Sequence, residues 1–204
     1  KIWGNSSNNI YFVGRGGTIA HYDGRRWRRI ESGTELDFQD IWGAWDEKKK
    51  GWQILAVASN KFFNQGNFLI QIDGQNALTV ETDGLAWNLS SLWFIPGKQY
   101  FVAGGGFYFK ETIFSPSPWE KYSGGVVTTY FTHRIRGTGL NHIVACGDFG
   151  ELVHFNGVSW FNYTGQFLAH NSSQLGLAVT ENLIVSCGQQ GRDAVVVIGR
   201  LIKR

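Results

Sequence analysis

The side chains that could hold a ligand stand in short polar stretches of this sequence, most of them rich in glycine or asparagine. Aromatic rings there could stack on a sugar or anchor a protein side chain, and the acidic, amide and basic groups beside them could hydrogen-bond to hydroxyl or peptide groups. The sequence therefore predicts a binding site for a protein or a glycan, built from Arg15, Lys61, Phe62, Phe63, Asp148, Phe149, Gln189 and Arg192.

Carboxylates would supply the acid and the base of a hydrolytic enzyme, and they form no recognisable motif here. A glycosidase needs two carboxyl groups at a defined separation across one site, and the sequence does not place any two of them together. We interpret each as a turn residue or a solvated group, and we predict no catalytic residue among Asp37, Asp40, Asp46, Glu47, Glu81, Asp83, Glu111, Asp148, Glu151 and Asp193.

No stretch of the sequence has the spacing of a metal or cofactor site. The five histidines are spread along the chain, and Cys146 and Cys187 form no Cys-x-x-Cys pair. The stretches "GRGG" and "AGGGF" each join two predicted strands, whereas a phosphate-binding loop joins a strand to a helix. We therefore predict no metal and no cofactor, and we expect both cysteines to be buried, unreactive thiols.

An internal repeat positions the candidate residues. The stretch "HYDGRRW" at residues 21–27 returns as "HFNGVSW" at residues 154–160, and the similarity extends without a gap over residues 1–29 and 134–162. Most identities fall on glycine, tryptophan and strand hydrophobic residues. The two stretches are therefore copies of one structural unit.

The repeat predicts the fold class. Units of about 40 to 50 residues that hold several strands are typical of β-propellers, so we predict an all-β protein with four-stranded antiparallel blades. The triplet "IWG" and its relatives open successive units at residues 2–4, 41–43, 92–94 and 135–137. We treat residues 1–204 as a single propeller domain or fragment with five blades, at 1–40, 41–91, 92–134, 135–174 and 175–204.

The last predicted unit ends "AVVVIGRLIKR" and shows no clear fourth strand. Two interpretations stay open from the residues alone. One is a five-bladed ring that lacks this strand, and the other is the C-terminal part of a larger ring.

The repeated letters are interpreted as a hairpin turn and its packing residue. Asp23-Gly24 predicts a two-residue turn that tolerates positive φ, and Trp27 is expected to pack one blade on the next. Because Gln71 takes the place of His21 in the second unit, we expect a structural hydrogen bond there rather than catalysis. The structural repeat residues are His21, Asp23, Gly24, Trp27, His154, Asn156, Gly157 and Trp160.

The composition argues against several classes of protein. Hydrophobic residues make up 43% of the chain and charged residues 17%, so a folded core is expected and disorder is not. The sequence contains no run of about 18 apolar residues, so it predicts no transmembrane segment. The formal net charge of +3 comes partly from residues 25–29 and 199–204. We interpret these basic clusters as a charged strand edge and a solvated tail, and we expect no nucleic-acid partner.

Stretches throughout the chain, such as "NIYFVGRGGTIAHYDGRRWRRIESGT", "SSLWFIPGKQYFVAGGG" and "AVVVIGRLIKR", resemble a group of bacterial secreted propeller proteins that are often lipoproteins. The resemblance implies an export signal, further blades upstream, a six- to eight-bladed ring and a secreted or cell-surface location. The Asp-Gly-x-x-Trp turn is also similar to the Asp-box hairpin of sialidases and of photosystem II assembly-factor propellers. The serine that precedes the aspartate in that motif is missing here.

The loops that join second to third strands would share one face of such a ring, and they carry the predicted ligand-binding residues. We therefore predict a non-catalytic extracellular or cell-surface interaction or scaffold module that binds a protein or a glycan. Two alternatives stay open. One is a glycosidase-like enzyme with carboxylates at the mouth of the channel, and the other is a structural subunit that self-associates into an extracellular assembly or filament.

Overall fold

The computed structural model of this chain describes residues 1–60, 66–167 and 170–200, which form five antiparallel β-sheets. Sheets 1 to 4 contain four strands each, and sheet 5 contains three. Within every sheet the strands pair in chain order. The prediction of four-stranded antiparallel units is confirmed, and so is the missing fourth strand of the last unit within the described residues.

Sheet 1 contains β1 (Ile2–Ser6), β2 (Asn9–Val13), β3 (Ile19–Tyr22) and β4 (Trp27–Ile30). Sheet 2 contains β5 (Phe38–Asp46), β6 (Gly51–Ser59), β7 (Asn67–Asp73) and β8 (Asn76–Val80). Sheet 3 contains β9 (Leu89–Ile95), β10 (Gln99–Gly104), β11 (Phe107–Lys110) and β12 (Glu120–Lys121).

Sheet 4 contains β13 (Thr132–Gly139), β14 (His142–Gly147), β15 (Leu152–Phe155) and β16 (Trp160–Asn162). Sheet 5 contains β17 (Ser173–Val179), β18 (Leu183–Gln190) and β19 (Asp193–Arg200). A 3₁₀ turn, Asp148–Gly150, lies between β14 and β15. Among the residues that the structure describes, no helix is long and apolar enough to cross a membrane.

The first strand of each sheet is the innermost one. The strands β1, β5, β9, β13 and β17 lie next to one another in that order, so the sheets follow one another around a common axis. A hydrophobic cluster fills the space between each pair of successive sheets. Burial of these apolar faces is the main favourable contribution to the stability of such an array.

The recurring "IWG" triplet forms a contact between neighbouring sheets. A Cβ atom placed on Gly43 of sheet 2 would lie 2.3 Å from Cζ2 of Trp3 in sheet 1. The same contact recurs between Trp93 of sheet 3 and Gly137 of sheet 4, where the distance would be 2.8 Å. The glycine thus leaves room for the indole of the preceding sheet, because any side chain there would overlap the ring.

The repeated hairpin turn differs by one residue from the sequence-based prediction. The amide of Asp23 donates to the carbonyl of Arg26 at 3.3 Å, so the two loop residues are Gly24 and Arg25 rather than Asp23 and Gly24. Gly24 has φ of 88°, and glycine with positive φ at the first loop position is typical of a type II′ turn. Asp23 instead accepts hydrogen bonds from the amides of Arg25 and Arg26 through Oδ1.

Sheet 4 repeats this turn with other residues. Asn156 Oδ1 accepts hydrogen bonds from the amides of Val158 and Ser159, each at 2.9 Å. Gly157 has φ of 96°. Aspartate and asparagine recur at this position because either side chain can accept two backbone N–H groups in a turn.

The two repeat tryptophans have different surroundings. Trp160 contacts the rings of Phe107 and Tyr122 in sheet 3, at 5.3 and 6.3 Å, and so packs one sheet on the next as expected. The ring of Trp27 contacts Phe12 and Tyr22 of its own sheet and remains 53% exposed, so it packs on no neighbouring sheet within the described residues.

Polar side chains join the second and third strands in three of the sheets, including the repeat histidines. In sheet 1 the ring of His21 also stacks on Tyr11, with centroids 4.1 Å apart. These contacts fit a structural role at this position. The polar atoms lie 2.7 Å apart in the pair His21–Asn9, 2.9 Å in Gln71–Gln53 and 2.8 Å in His154–His142.

The two cysteines are unpaired and differ in exposure. Cys146 is buried, and burial raises the pKa of its thiol to about 12, as expected for an unreactive group. Cys187 is exposed, so the expectation of burial is wrong for this residue. It lies on the side of sheet 5 that is not covered by sheet 4.

Candidate functional site

One end of the axis carries the features expected of a binding site, and we call it the loop face. The amide of Val13, at the end of β2, donates to the carbonyl of Lys1, just before β1. Likewise, Gly147 pairs with Thr132 and Gln189 pairs with Ser173. In sheets 1, 4 and 5 the second strand therefore ends beside the beginning of the inner strand, so the loops that follow the second strands of these three sheets lie on one face, as predicted.

The loop face opens into a cavity of about 450 Å³ at the axis, which we call the central cavity. Every sheet contributes to its wall from the beginning of its inner strand or from the residues just before it. The lining residues are Lys1, Gln39, Asn88, Leu89, Ser90, Phe131, His133, Arg134 and Leu175.

The wall of the central cavity carries cationic and polar groups. Arg134 is fixed by hydrogen bonds from Nη1 to the carbonyls of Ser90 and His133, at 2.9 and 2.8 Å. Lys1 is a second cationic residue of the wall, and no carboxylate is among the lining residues that belong to the described ranges. This distribution favours a ligand that accepts hydrogen bonds or carries negative charge.

An ion pair lies next to the cavity, one or two residues further along the inner strands than the lining residues Gln39 and Arg134. Arg136 donates from Nη1 to Asp40 Oδ2 at 2.8 Å and from Nη2 to Oδ1 at 2.9 Å. Ser91 Oγ also donates to Asp40 Oδ2, at 2.5 Å. The three residues join sheets 2, 4 and 3, and the guanidinium of Arg136 lies 4.7 Å from the centroid of the Trp42 ring.

The environment of Asp40 keeps its carboxyl group ionised. Burial alone would raise the pKa of Asp40, but the charge and hydrogen bonds of Arg136 outweigh it, and the pKa lies below its ordinary value. The side chain of Asp40 is 2% exposed and the side chain of Arg136 is 14% exposed. The expectation of a turn or solvated carboxylate is wrong for Asp40. Its oxygens are occupied by protein donors, which fits a structural role.

A second polar cluster joins sheets 4 and 5 at the loop face. His133 Nε2 and Asp148 Oδ1 lie 2.8 Å apart, and Ser173 Oγ donates to the same oxygen at 2.7 Å. A hydrolytic triad requires the serine to bond the histidine, whereas here both bond the carboxylate. The cluster therefore positions His133 at the wall of the central cavity.

Glu151 is a buried carboxyl group behind the loop face, so the expectation of a turn or solvated group is wrong here too. It is 1% exposed, and its Oε1 accepts a hydrogen bond of 2.6 Å from the amide of Thr129. Burial raises the pKa of Glu151 to about 7, against the hydrogen bonds from the amides of Thr129 and Tyr130 and together with the nearby charge of Asp148. Glu151 therefore holds the segment that leads to Phe131.

Two exposed aromatic rings near sheet 4 are neighbours in the chain of residues at the cavity wall: Tyr130 precedes the lining residue Phe131, and Phe149 follows Asp148, which bonds the lining residue His133. Phe149 is 55% exposed and Tyr130 is 43% exposed, and their ring centroids lie 4.5 Å apart. Phe131, which lines the cavity, contacts the ring of His133 at 5.1 Å. Exposed rings beside fixed polar groups are the kind of surface that anchors a partner.

The predicted ligand-binding residues are only partly brought together. Asp148 bonds His133 of the cavity wall and is followed by Phe149, and Gln189 pairs in register with Ser173, which also bonds Asp148. Arg15 and Arg192 are exposed in the corresponding loops of sheets 1 and 5. Lys61, Phe62 and Phe63 lie outside the described residues.

Sequence reasoning missed the residues of the inner strands. His133, Arg134 and Arg136 fall in one short stretch, "THRIRG", whose isoleucine is buried. Charged side chains in a strand that is expected to lie at the centre of a ring signal a polar axis. That signal is present in the sequence.

No protein-family model and no curated protein matches this chain, whereas several solved structures resemble its fold. A structure of YCF48 bound to a D1 peptide has a TM-score of 0.69 at 14% identity, and the match covers 99% of this chain and 63% of that chain. YCF48 from Cyanidioschyzon merolae has a TM-score of 0.64 at 13% identity, with 97% and 67% covered. A putative gluconolactonase has a TM-score of 0.60 at 12% identity, with 90% and 68% covered.

These likenesses show the fold alone, and the predicted β-propeller architecture is confirmed. The structural similarity to the photosystem II assembly-factor propellers is confirmed as well. The chain spans 63% of the length of the first of these neighbours. Membership of a bacterial secreted group stays a prediction.

Proposed function

We propose that this chain is a non-catalytic interaction module that binds a segment of a partner protein at the loop face. The observation that carries the proposal is the central cavity of about 450 Å³, to which all five sheets contribute. Concave sites with apolar walls and a few fixed polar groups are the usual ligand-binding sites of proteins.

The chemistry of the cavity indicates the kind of segment. Arg134 and Lys1 favour a carboxylate or a row of peptide carbonyls, because charge-assisted hydrogen bonds are stronger than neutral ones. The exposed rings of Phe149 and Tyr130, which contact each other, offer a surface on which an apolar side chain of the segment would pack.

A structural neighbour supports a peptide as the ligand. YCF48, whose propeller resembles this chain, has been observed with a D1 peptide bound. The shared architecture supports peptide recognition by this chain as well. Because the two sequences are only 14% identical, the chemistry of the partner is inferred from this chain's own residues.

An enzyme of glycosidase type has less support from the geometry. Asp40, a carboxylate of an inner strand, is saturated by Arg136 and Ser91. Glu151 has the raised pKa of a general acid but is 1% exposed, so a substrate in the cavity does not reach it.

We further propose that the protein works as a secreted or cell-surface protein. The resemblance of its repeat to exported propeller proteins supports this location. Fractionation of the native cells checks it, and recovery of the protein in the cytoplasm contradicts it.

Selection of a phage-displayed library of random peptides against the purified chain tests the binding proposal. We expect enriched peptides with acidic residues, and we expect Arg134→Ala and Phe149→Ala each to weaken their binding by about tenfold or more. The matched controls are Arg26→Ala and Phe114→Ala, which truncate exposed residues far from the cavity. Failure to enrich any peptide, or equal binding by all four variants, overturns the proposal.

A further inference from the structure

Sheets 2, 3 and 4 are covered on both faces, whereas the described residues cover only one face of sheet 1 and one face of sheet 5. The uncovered face of sheet 1 is apolar. It presents Ile2, Phe12 and Trp27, which are 63%, 38% and 53% exposed. Soluble proteins rarely leave contiguous apolar surfaces of this kind in contact with water.

The internal repeat identifies what this face is built for. In the ungapped alignment of the two copies, Ile2 corresponds to Ile135 and Phe12 corresponds to Ala145. Both counterparts are 0% exposed, because that face of sheet 4 packs against sheet 3. The counterpart of Trp27 is Trp160, which contacts Phe107 of sheet 3. The open face of sheet 1 therefore has the pattern of an interface with a preceding sheet.

Sheet 5 shows the complementary pattern. In sheet 4, Cys146 pairs with Leu152, and the two residues are 0% and 6% exposed beneath sheet 5. The corresponding pair in sheet 5 is Cys187 with Val196. Cys187 is exposed, and Val196 is 61% exposed. The open face of sheet 5 therefore has the pattern of an interface with a following sheet.

We propose that at least one further four-stranded blade of the same repeat, belonging to the same polypeptide, packs between sheets 5 and 1 and closes the ring. Such a blade has a front and a back face, so it covers both open faces. The structural neighbours are long enough to hold more blades, since this chain covers 63%, 67% and 68% of them. Lys1 and Leu175 line the same central cavity, so the added blade completes its wall.

A second copy of the chain fits the two faces less well. Joined head to tail, two copies bury one face of each at the contact and leave one open face at each end of the assembly. Further copies only move those open faces outward, unless the assembly closes on itself.

The test compares the 204-residue chain with the full gene product from its native cell. We expect the gene product to have an intact mass above 22.9 kDa. Phe12→Asp and Val196→Asp are each expected to lower the Tm of the gene product by roughly 5–10 °C, because they place a charge in a packed interface. In the 204-residue chain both positions are exposed, and the same substitutions are expected to leave Tm nearly unchanged.

Phe114→Asp is the control, because Phe114 is 65% exposed on a loop of sheet 3 outside the two open faces. It is expected to leave Tm unchanged in both proteins. An intact mass of 22.9 kDa overturns the proposal, and so does a gene product whose Tm is insensitive to Phe12→Asp and Val196→Asp. Dimers or larger assemblies of the gene product, seen by light scattering and abolished by either variant, overturn it in favour of a second copy.

Discussion

At the residue scale, the Asp40–Arg136 pair joins sheets 2 and 4 next to the axis, with Ser91 of sheet 3 as a third member. Removal of one partner leaves the other charge buried and uncompensated. We therefore expect Asp40→Leu to lower the free energy of unfolding by about 3–5 kcal/mol, measured by urea denaturation.

The double variant Asp40→Leu with Arg136→Leu is the matched control for this prediction. It removes both charges and leaves apolar side chains in a buried place, so most of the lost stability should return. Equal losses in the single and double variants would show that packing, rather than the uncompensated charge, sets the cost.

Glu151 predicts a pH dependence of stability. Its pKa of about 7 in the folded protein lies above the ordinary value of 4.5, so the folded chain retains a proton that the unfolded chain releases between these values. Stability contributed by this group is therefore present below pH 4.5 and is lost as the pH rises to about 7. The loss amounts to about 3 kcal/mol.

Glu151→Gln isolates this effect, because the amide oxygen can still accept the hydrogen bond from Thr129 and carries no charge. The stability difference between the variant and the natural chain should grow in favour of the variant from pH 5 to pH 8. The pKa values of His21 and His154 are lowered by burial, and these residues titrate equally in both proteins. A difference that stays constant over this range contradicts the prediction.

At the element scale, the fourth strands of sheets 1 and 4 place equivalent tryptophans in unequal surroundings. Trp160→Ala removes ring contacts with Phe107 and Tyr122 of sheet 3 and should cost about 3 kcal/mol or more. Trp27→Ala should cost clearly less in the 204-residue chain, because the ring is 53% exposed. Thermal unfolding of the two variants checks the order, and equal costs contradict it.

The sequence specified the strands better than their contacts. The repeat period predicted the units and the incomplete last one, because glycine, tryptophan and hydrophobic residues recur wherever the backbone recurs. The predicted turn lies one residue too early in the sequence. The letters "DG" do not show that the side chain of Asp23 caps the turn and that Gly24 is its first loop residue. The surroundings of Trp27 could not be predicted, because they depend on whether a sheet lies before sheet 1.

At the scale of the whole molecule, the array has covered sheets in the middle and half-covered sheets at its ends. Repeat architectures open most easily where a unit has one neighbour only. We expect backbone amides of β18 to exchange with deuterium at least tenfold faster than those of β14 in the 204-residue chain. Equal protection of β18 and β14 contradicts this prediction. The amides of sheet 3, which is covered on both faces, are the internal reference.

The candidate site is formed by residues from all five sheets, and for this reason the sequence predicted it only in part. The loops could be assigned to one face because they occupy equivalent places in each unit, and this assignment placed Asp148 and Phe149 on the loop face. The central cavity unites residues as distant in the chain as Gln39 and Leu175. Nothing in the local sequence of any one unit shows that their side chains meet.

The indole-on-glycine contact between sheets has an evolutionary consequence. Unit 1 carries both halves of the contact, Trp3 and Gly4, although only Trp3 meets a glycine of the next sheet, Gly43. An in-frame duplication of this unit would set the indole of one copy against the glycine of the other. The gene could therefore gain a sector in one step, with a compatible seam already encoded, and diverge afterwards at the positions that face the axis.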